Sequence, residues 1–356
     1  MAPVHSRIIP SKILGLLYKA PNMSDFWAAI ANSQAPSPIS PSDTVLCPIV
    51  DQAVLSISGA DSAKFMQGQF TCNITDINES AFRSGACCNP KGRIISSFNL
   101  AKQDENEYLL CLNETLSEPT AAHLKKYMVF FKTSMAAKPM VLAGLKGPHA
   151  QTLIKSVFEQ CPEEDFGQIS HPLGLVIKLP FDAGFELWLQ PEQASATVDK
   201  LLGVGECKLA GASQWPLNRI QHGLAQVTQT SIESFIPQML NLGQTGAISF
   251  NKGCYTGQEI VARMQYLGKL KRHMYRARVH STAPIELGTP IFSQSQEAPV
   301  SEVVNLAMTD THSEFLMVLD IKHTQAPLFI GQNSGLSIEL LSLPYEIVPQ
   351  EKPAED

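Results

Sequence analysis

The sequence predicts an α+β fold that ends in a separate β-barrel, and three patterns along the chain support this. Between residues 45 and 266, runs with the two-residue alternation of strands are separated by amphipathic runs of helical period. The connections between these runs are short, as in antiparallel sheets. From residue 271 to 347, short alternating runs are divided by glycines without any long helical pattern, which is typical of an all-β domain, most simply a barrel.

At 356 residues the chain is too long for one ordinary hydrophobic core, so several domains are expected. We divide it into an N-terminal extension with a proline- and serine-rich linker (1–44), an α+β region of two subdomains (45–266), the barrel (267–348) and a polar tail (349–356).

The individual elements of the α+β region follow from hydrophobic period and from helix start and stop signals. The expected strands are 54–57, 94–100, 108–112, 173–179 and 184–189. The expected helices are 63–70, 117–128, 147–158, 192–202 and 213–224, with a shorter one around Trp27 in the extension. Pro119 in a first turn, and Gly68 and Gly223 at helix ends, support these bounds.

Composition and charge narrow the class of protein. The chain is 44% hydrophobic and 17% charged, with a net charge of −6 at pH 7. Because tight nucleic-acid binding normally requires a basic surplus, we expect no direct nucleic-acid partner. No run of about 18 apolar residues occurs, so we expect no membrane partner. The eight cysteines show neither CxxC nor zinc spacing, which predicts no metal site, no disulfide framework and a cytoplasmic, reducing location.

Residues 251–263 form the stretch richest in reactive side chains, and they read NKGCYTGQEIVAR. Ile248 and Phe250 predict a short strand before it, and residues 259–264 contain good helix formers. The stretch is therefore predicted to run from a strand through a glycine-rich loop into a helix. Gly253 and Gly257 give that loop unusual backbone freedom and allow a ligand to approach closely.

Cys254 is the candidate reactive group of this loop. It lies about one turn before the predicted helix and close to Lys252, and both features favour the thiolate form. The alternative is that Cys254 is a small buried hydrophobe, as lone cysteines commonly are. Glu259 and Arg263 stand four residues apart, which fits an exposed helix pair as well as a ligand site.

A second candidate site is the turn at residues 88–93, where Lys91 and Arg93 flank Gly92. Two cations beside an exposed glycine backbone fit an anion such as a carboxylate tail or a phosphate. A solvated hairpin tip explains the same residues equally well.

Residues 251–263 closely resemble the Lys-Gly-Cys-Tyr-x-Gly-Gln-Glu signature of the YgfZ family. Members of this family are folate-binding proteins of iron–sulfur cluster maintenance, related to the glycine cleavage T-protein, an aminomethyltransferase. Three further blocks resemble the family in the same order, at residues 57–71, 89–93 and 215–242. The resemblance extends over about residues 45–347.

The resemblance implies a T-protein-like architecture of three domains arranged in a ring. A split ferredoxin-like domain and a second α+β domain would form the folate-binding unit, and the C-terminal β-barrel would close it. Tetrahydrofolate, or a derivative, would lie in the central channel.

The resemblance also implies which residues act. Cys254 would be the functional thiol, with Lys252 as its catalytic neighbour. Gly253 and Gly257 would be the motif glycines. The residues implied to bind the cofactor are Tyr255, Gln258, Glu259, Arg263, Gln238, Lys91 and Arg93. Because the glutamate tail of folate is anionic, a cation is expected at the channel mouth, and the candidates are Lys91, Arg93, Lys252 and Arg263.

Departures from the T-protein pattern point to a different chemistry. No position matches the T-protein catalytic acid, and Gln238 stands where the T-protein relatives carry a folate-holding glutamate. A carboxylate offers the pterin N–H groups two charge-assisted bonds, whereas an amide offers one acceptor. The resemblance therefore implies an accessory factor for iron–sulfur assembly or repair, with iron–sulfur enzymes or assembly factors as partners and an indirect effect on tRNA methylthiolation through a radical SAM enzyme. The alternative is a folate-dependent aminomethyl or one-carbon transferase, and the sequence leaves open whether any reaction is catalysed.

Overall fold

The architecture is known from a computed structural model, which describes residues 23–33, 39–205, 207–332 and 335–347. It consists of a six-stranded sheet, a five-stranded sheet and a closed barrel. Most of the predicted extension, part of its linker and the polar tail lie outside the described residues.

The strands and helices follow one another along the chain as expected for an α+β region followed by a β domain. The strands are β1 (Thr44–Pro48), β2 (Gln52–Ser58), β3 (Arg83–Cys88), β4 (Ile94–Lys102), β5 (Glu107–Asn113), β6 (Ser134–Ala137), β7 (Val141–Lys146), β8 (Gln168–His171), β9 (Gly174–Lys178), β10 (Phe185–Leu189), β11 (Cys207–Leu209), β12 (Arg272–Val279), β13 (Pro290–Ser293), β14 (Gln296–Met308), β15 (Ser313–Asp320), β16 (Leu328–Ile330) and β17 (Leu336–Leu341). The helices are α1 (Met23–Ser33), α2 (Ser62–Gln67), α3 (Ser117–Met128), α4 (Ala150–Phe158), α5 (Pro191–Gly203), α6 (Gln214–Gln221) and α7 (Gln258–Tyr266). Short 3-10 turns occur at Ile74–Asp76, Glu114–Leu116, Pro237–Leu240 and Ile321–His323.

In the sequence, the five-stranded sheet of the α+β region lies between two parts of the six-stranded sheet. The six-stranded sheet has the order β11-β1-β7-β10-β9-β8, and the five-stranded sheet has the order β3-β4-β5-β2-β6. The chain therefore starts in the first sheet, builds the second from β2 to β6, and returns at β7. All neighbouring strands are antiparallel except β1 and β11. The six-stranded sheet therefore takes strands from both sides of the five-stranded sheet in the sequence, while the five-stranded sheet is one contiguous insertion.

Helix α1, within the predicted extension, packs onto the six-stranded sheet. Trp27 and Ile30 are buried in the same cluster as Leu153 of α4 and Val198 of α5. The Trp27 indole N–H donates to the carbonyl of Leu142 at 3.2 Å. The short helix expected around Trp27 is therefore present, and its apolar face covers part of the core.

A buried carboxylate joins the two sheets. Glu186 on β10 is fully buried and accepts hydrogen bonds from the indoles of Trp188 at 3.2 Å and Trp215 at 3.4 Å. Asn99 on β4 donates to it at 3.2 Å, and Arg219 on α6 donates at 3.1 Å. A buried charge is tolerated only with such a complete set of donors, so this cluster fixes how the sheets and α6 meet.

The predicted barrel is confirmed. Strands β12 to β17 close in the order β12-β15-β14-β13-β16-β17. The side-chain amide of Asn305 on β14 accepts from the Gln226 N–H at 3.0 Å and donates to the Gln226 carbonyl at 2.8 Å, and Gln226 follows α6. The barrel is therefore attached to the α+β region by paired polar contacts.

One local prediction near the motif loop is wrong. Residues 248–250 form no strand, although Ile248 and Phe250 alternate as a strand would. The preceding residues close consecutive turns, with Thr245 N–H bonded to the Asn241 carbonyl and Ala247 N–H to the Leu242 carbonyl. Only the Ser249 N–H then reaches another segment, at the Thr71 carbonyl, which is too little to form a ladder.

Candidate functional site

The two glycine-containing turns singled out in the sequence pack against each other. Gly257, directly before α7, has a φ of 84°, and a Cβ there would lie 2.6 Å from the Asn89 carbonyl oxygen. Gly92 has a φ of 68°, and a Cβ there would lie 2.9 Å from the Ile260 Cβ. Only glycine adopts both conformations at such close approach without strain. Gly253 has free space around it and no left-handed φ.

The loop between Gly253 and Gly257 is bonded to the end of α2. Thr256 N–H donates to the Gly68 carbonyl at 3.1 Å, and its hydroxyl donates to Gln69 Oε1 at 3.3 Å. Tyr255 is buried beneath the loop, and this burial raises its pKa above the ordinary value. The Gln258 N–H closes the turn onto the Tyr255 carbonyl at 3.1 Å. These contacts make the loop a fixed platform for the residue at its tip.

Lys252 anchors the same platform from inside. Its ammonium donates to the carbonyls of Phe70 at 2.6 Å and Cys72 at 2.8 Å, and it lies 5.0 Å from the centre of the Tyr255 ring. Burial lowers the pKa of Lys252 to about 8, and the neighbouring Cys72 partly offsets this. The sequence placed Lys252 beside the reactive thiol, whereas the structure gives it an anchoring role that the sequence did not suggest.

We expect Lys252 to give the protein a distinct pH dependence. Its pKa is lower in the folded than in the unfolded state, so the unfolded chain binds more protons between pH 8 and 10.5. Stability from this group therefore rises with pH through that window, by roughly 1–3 kcal/mol.

Urea unfolding between pH 7.5 and 10.5 measures the free energy of unfolding of the wild type and of Lys252→Met. The difference between the two curves gives the contribution of Lys252, because the other titrating groups contribute equally to both. The exposed Lys91 provides the matched control, since Lys91→Met should follow the wild-type curve. Parallel curves for wild type and Lys252→Met would contradict the assignment.

Cys254 is exposed, while the other cysteines are buried or half-buried free thiols. Burial raises the pKa of Cys72 and Cys88 to about 12 and that of Cys161 and Cys207 to about 11, which keeps them protonated at neutral pH. The alternative interpretation of Cys254 as a buried small hydrophobe is therefore wrong. All eight cysteines lie in the described residues, and among them only Cys254 is exposed.

The remaining charged candidates divide into bound and free side chains. Arg93 donates to the Ser234 carbonyl at 2.6 Å, which connects the turn at 89–93 to the segment before the 3-10 turn Pro237–Leu240. Lys91, Glu259 and Arg263 are exposed, and in the described part of the chain none of them forms an ion pair. The positive charges of Lys91 and Arg263 are therefore available to a ligand, whereas Arg93 has a structural role.

A cavity of about 270 Å³ lies where the α+β region meets the barrel. Its lining comes from the turn before the motif loop, from α7 and from the start of β12. The lining residues are Gln238, Gly243, Gln244, Phe250, Gln265, Leu270 and His273. Of the site residues expected from the sequence, Gln238 belongs to this lining, whereas Lys252, Cys254, Tyr255, Arg263 and the cations of the 89–93 turn do not.

Two buried side-chain atoms without a hydrogen-bond partner belong to residues of this lining. Gln238 donates through Nε2 to the Val261 carbonyl at 2.6 Å, while its Oε1 is unpaired. His273 contacts the Leu270 carbonyl through Nε2 at 3.2 Å, while its Nδ1 is unpaired. Burial lowers the pKa of His273, and the bond to Leu270 partly offsets this. Buried polar atoms are normally paired, so Gln238 and His273 are unusual in each leaving one polar atom without a partner.

Asn241 joins the 3-10 turn that carries Gln238 to the strand that carries His273. It ends the 3-10 turn that carries Gln238, with a φ of 55°, and is fully buried. Its side-chain amide donates to the Met274 carbonyl at 2.9 Å and accepts from the Met274 N–H at 3.3 Å. Met274 is adjacent to His273 on β12, so this pair of hydrogen bonds fixes the turn against the barrel.

The cavity and the thiol belong to one continuous segment. Phe250, in the cavity wall, lies four residues before Cys254, and its ring is 6.1 Å from that of Tyr266 at the end of α7. Exposed Lys269 and Lys271 flank Leu270 of the lining. Lys269, Lys271 and His273 were not among the site residues expected from the sequence. The alternation of lysine and leucine at the junction of α7 and β12 was the available signal for the two lysines.

Over residues 23–33, 39–205, 207–332 and 335–347, no three His, Cys, Asp or Glu side chains are grouped so as to hold a metal ion. Within the same described residues, no helix combines the length and the apolar character needed to span a membrane.

Comparison with known proteins agrees with the motif blocks and the fold. The family described as the GCVT N-terminal domain matches residues 46–252. A "tRNA-modifying protein YgfZ" from Enterobacter sp. (strain 638) is 34% identical over 229 residues, which cover 63% of this chain and 69% of the relative. The protein of the same name from Shigella boydii serotype 4 (strain Sb227) is 35% identical over the same shares.

A solved structure extends the likeness to the whole architecture. The glycine cleavage system aminomethyltransferase T from Bartonella henselae superposes with a TM-score of 0.67, covering 85% of this chain and 86% of that protein. At 15% identity this shows a shared fold, and it confirms the predicted T-protein-like arrangement with its C-terminal barrel. From the sequence match, the motif blocks and this fold together, the chain belongs to the YgfZ family of proteins with a GCVT N-terminal domain.

Proposed function

We propose that this protein binds a reduced folate in the cavity at Gln238 and uses the exposed thiol of Cys254 to support iron–sulfur enzymes. These would include a radical SAM enzyme of tRNA methylthiolation, so that the effect on tRNA is indirect. The name of its relatives, tRNA-modifying protein, supports a link to tRNA modification. The acidic chain, with a net charge of −6, favours an indirect link over tRNA binding.

The observation that carries the proposal is the cavity itself, whose lining residues precede Cys254 at 238–250 and follow it at 265–273. A volume of about 270 Å³ suits the bicyclic ring of a pterin better than a whole folate. Phe250 and Leu270 provide apolar wall, and Gln238 and His273 provide polar groups. The aminobenzoyl-glutamate tail would then extend outward, where Lys269 and Lys271 supply exposed positive charge.

The thiol suits a role toward a partner protein. Cys254 lies at the tip of a loop fixed by Thr256 and Lys252, so a partner reaches it without any unfolding of the loop. Thiolates are soft ligands that suit iron–sulfur clusters. This thiol and a one-carbon carrier or reductant bound in the cavity would together protect or repair such a cluster.

Calorimetry with tetrahydrofolate under anaerobic conditions tests the binding part of this proposal. We expect the wild type to bind, and Gln238→Leu to bind at least tenfold more weakly because one polar contact to the ring is lost. Gln294→Leu is the matched control, since Gln294 is exposed and outside the cavity lining, and it should bind as the wild type does. Failure of the wild type to bind tetrahydrofolate would end the proposal.

A product assay separates this function from one-carbon transfer, which the likeness of fold alone supports. The protein is incubated with tetrahydrofolate and a panel of aminomethyl and methyl donors, and the folate products are measured. We expect no methylene- or methyl-folate above background, because Gln238 is an amide where the transferase relatives carry a carboxylate. Catalytic turnover with any donor would favour the transferase instead.

A further inference from the structure

Large apolar side chains are exposed at the end of α3, in a run of five apolar residues. Tyr127, Met128 and Phe131 of this run pack against the core. Val129 and Phe130 point outward instead, with 74% and 82% of their surface exposed. Isolated exposed apolar side chains are common, whereas adjacent ones form a patch of the kind that binds partners.

Exposed lysines surround these two side chains. Lys125 and Lys126 lie one turn before them on α3, and Lys132 follows shortly after them. All three are exposed, as is Lys64 on α2. Within the residues that the structure describes, none of the four forms an ion pair. The positions four residues before the two lysines of α3, where an acidic side chain would pair with them, are both alanines.

Backbone contacts place Lys64 beside the end of α3. The Lys132 N–H donates to the Asp61 carboxylate at 2.8 Å, and the Asp61 N–H donates to the Lys132 carbonyl at 3.2 Å. Lys64 stands three residues after Asp61, and the ring of its neighbour Phe65 lies 5.5 Å from that of Phe131. The start of α2 and the end of α3 therefore form one surface. We call it the α3 patch, and it consists of Lys64, Lys125, Lys126, Val129, Phe130 and Lys132.

The α3 patch and the exposed thiol lie at opposite ends of α2. Gly68, directly after α2, accepts the Thr256 N–H at 3.1 Å, and Thr256 belongs to the loop that carries Cys254. A helix of six residues, as α2 is, spans about 9 Å. Because an ordinary protein interface covers about 800 Å² on each partner, one bound protein can contact the patch and the thiol together.

We propose that the α3 patch is the surface on which the iron–sulfur protein served by Cys254 docks, through an acidic face with an apolar pocket for Phe130. This inference rests on the proposed function and names the chemistry of its partner. The lysines of the patch outnumber its one neighbouring carboxylate, Asp61, although the whole chain has a net charge of −6. Opposite charge on the partner speeds and orients its approach, and an aromatic side chain in a central pocket supplies much of the affinity.

The composition of the α3 patch favours a protein over RNA or a membrane. Tight RNA binding by an acidic chain requires many phosphate contacts and rings on which bases stack, and Val129 has no ring. Binding to a membrane surface requires a longer apolar face than two side chains. A pocket for one aromatic side chain requires neither.

Photocrosslinking in cells tests the partner directly with the full chain. Phe130 is replaced by p-benzoylphenylalanine in a host that lacks its own copy of this protein, and the crosslinked species are identified by mass spectrometry. We expect an iron–sulfur protein as the main product. Adding Lys125→Glu and Lys126→Glu should reduce that product at least about fivefold, because the reversed charges repel an acidic face. The same photoreactive residue at Val204, which is apolar, exposed and directly after α5, is the control and should not give this product.

The activity of an iron–sulfur enzyme in the same host is the second measurement. Phe130→Asp should lower that activity at least about threefold, because the loss of a central aromatic contact weakens docking. Val204→Asp should leave it at the wild-type value. Because Phe130 is exposed, the melting temperature and the affinity for tetrahydrofolate should not change in Phe130→Asp.

The outcomes distinguish the docking surface from the proposed function. Full enzyme activity with folded Phe130→Asp, or crosslinking at position 130 mainly to RNA, lipid or a second copy of this chain, overturns the docking surface alone. If an iron–sulfur protein crosslinks at position 130 but the wild type binds no tetrahydrofolate, or Cys254→Ser keeps full support, the proposed function is overturned and the docking surface stands. Failure of both sets of measurements overturns both.

Discussion

Replacing Gly257 with alanine is expected to lower the free energy of unfolding by roughly 2–4 kcal/mol. The residue has a φ of 84°, which a side chain rarely adopts. The added Cβ would also lie 2.6 Å from the Asn89 carbonyl oxygen and 3.1 Å from the Gly92 Cα. Both neighbours are backbone atoms of a tight turn, so neither can move aside without opening the contact between the two motif turns.

The second motif glycine provides a matched control. A Cβ at Gly253 meets no atom within 4 Å, and its φ is not left-handed. Gly253→Ala should therefore change stability by no more than about 0.5 kcal/mol. Urea unfolding of both variants at pH 7 measures the difference. Equal losses of unfolding free energy at the two positions would show that the contact between the turns at Gly92 and Gly257 does not hold the loop.

Replacing Cys254 with serine is expected to abolish support for iron–sulfur enzymes in cells while leaving the protein folded. Because the thiol is exposed and outside the cavity lining, the melting temperature and the affinity for tetrahydrofolate should stay at wild-type values. The measurement is the activity of an iron–sulfur enzyme in a host that lacks its own copy of this protein. We expect Cys254→Ser to give the activity of the empty vector.

Cys161 provides the control for a general effect of thiol loss. It is half-buried, its Sγ contacts the Pro162 carbonyl at 3.6 Å, and burial raises its pKa to about 11. Cys161→Ser should support the enzyme as the wild type does. Full support by Cys254→Ser would remove the thiol from the proposed function and leave folate binding to be explained by itself.

Elements with strong hydrophobic period were predictable from the sequence. The helix predicted at 117–128 is Ser117–Met128, and the strands expected at 94–100 and 108–112 are found with small extensions. The strand predicted just before the motif loop was wrong because the turns there use backbone groups that pairing with another strand would need. The bond from the Ala247 N–H to the Leu242 carbonyl is an example. Alternation over three residues is too short to distinguish a strand from a bent segment.

Site residues were predictable only where a local motif contains them. The motif identified Cys254 and Gly257, while the exposure of the thiol and the packing of Gly257 against the 89–93 turn are seen only in the structure. The anchoring role of Lys252 depends on carbonyls about 180 residues earlier in the chain, at Phe70 and Cys72. Sequence spacing carries no information about such a contact.

The cavity at Gln238 illustrates the same limit across domains. Gln238 and His273 line one cavity, and the bonds from Asn241 to the Met274 backbone join the two elements that carry them. A histidine in a β-strand pattern has no feature that marks it as part of a cavity lining.

The position of tetrahydrofolate in a crystal structure of its complex with the intact protein tests the central claim most directly. We expect the pterin ring in the cavity beside Phe250 and Gln238, with the tail toward Lys269 and Lys271. Tetrahydrofolate bound elsewhere, for example at the small space between the sheets lined by Asn99 and Arg219, would contradict it.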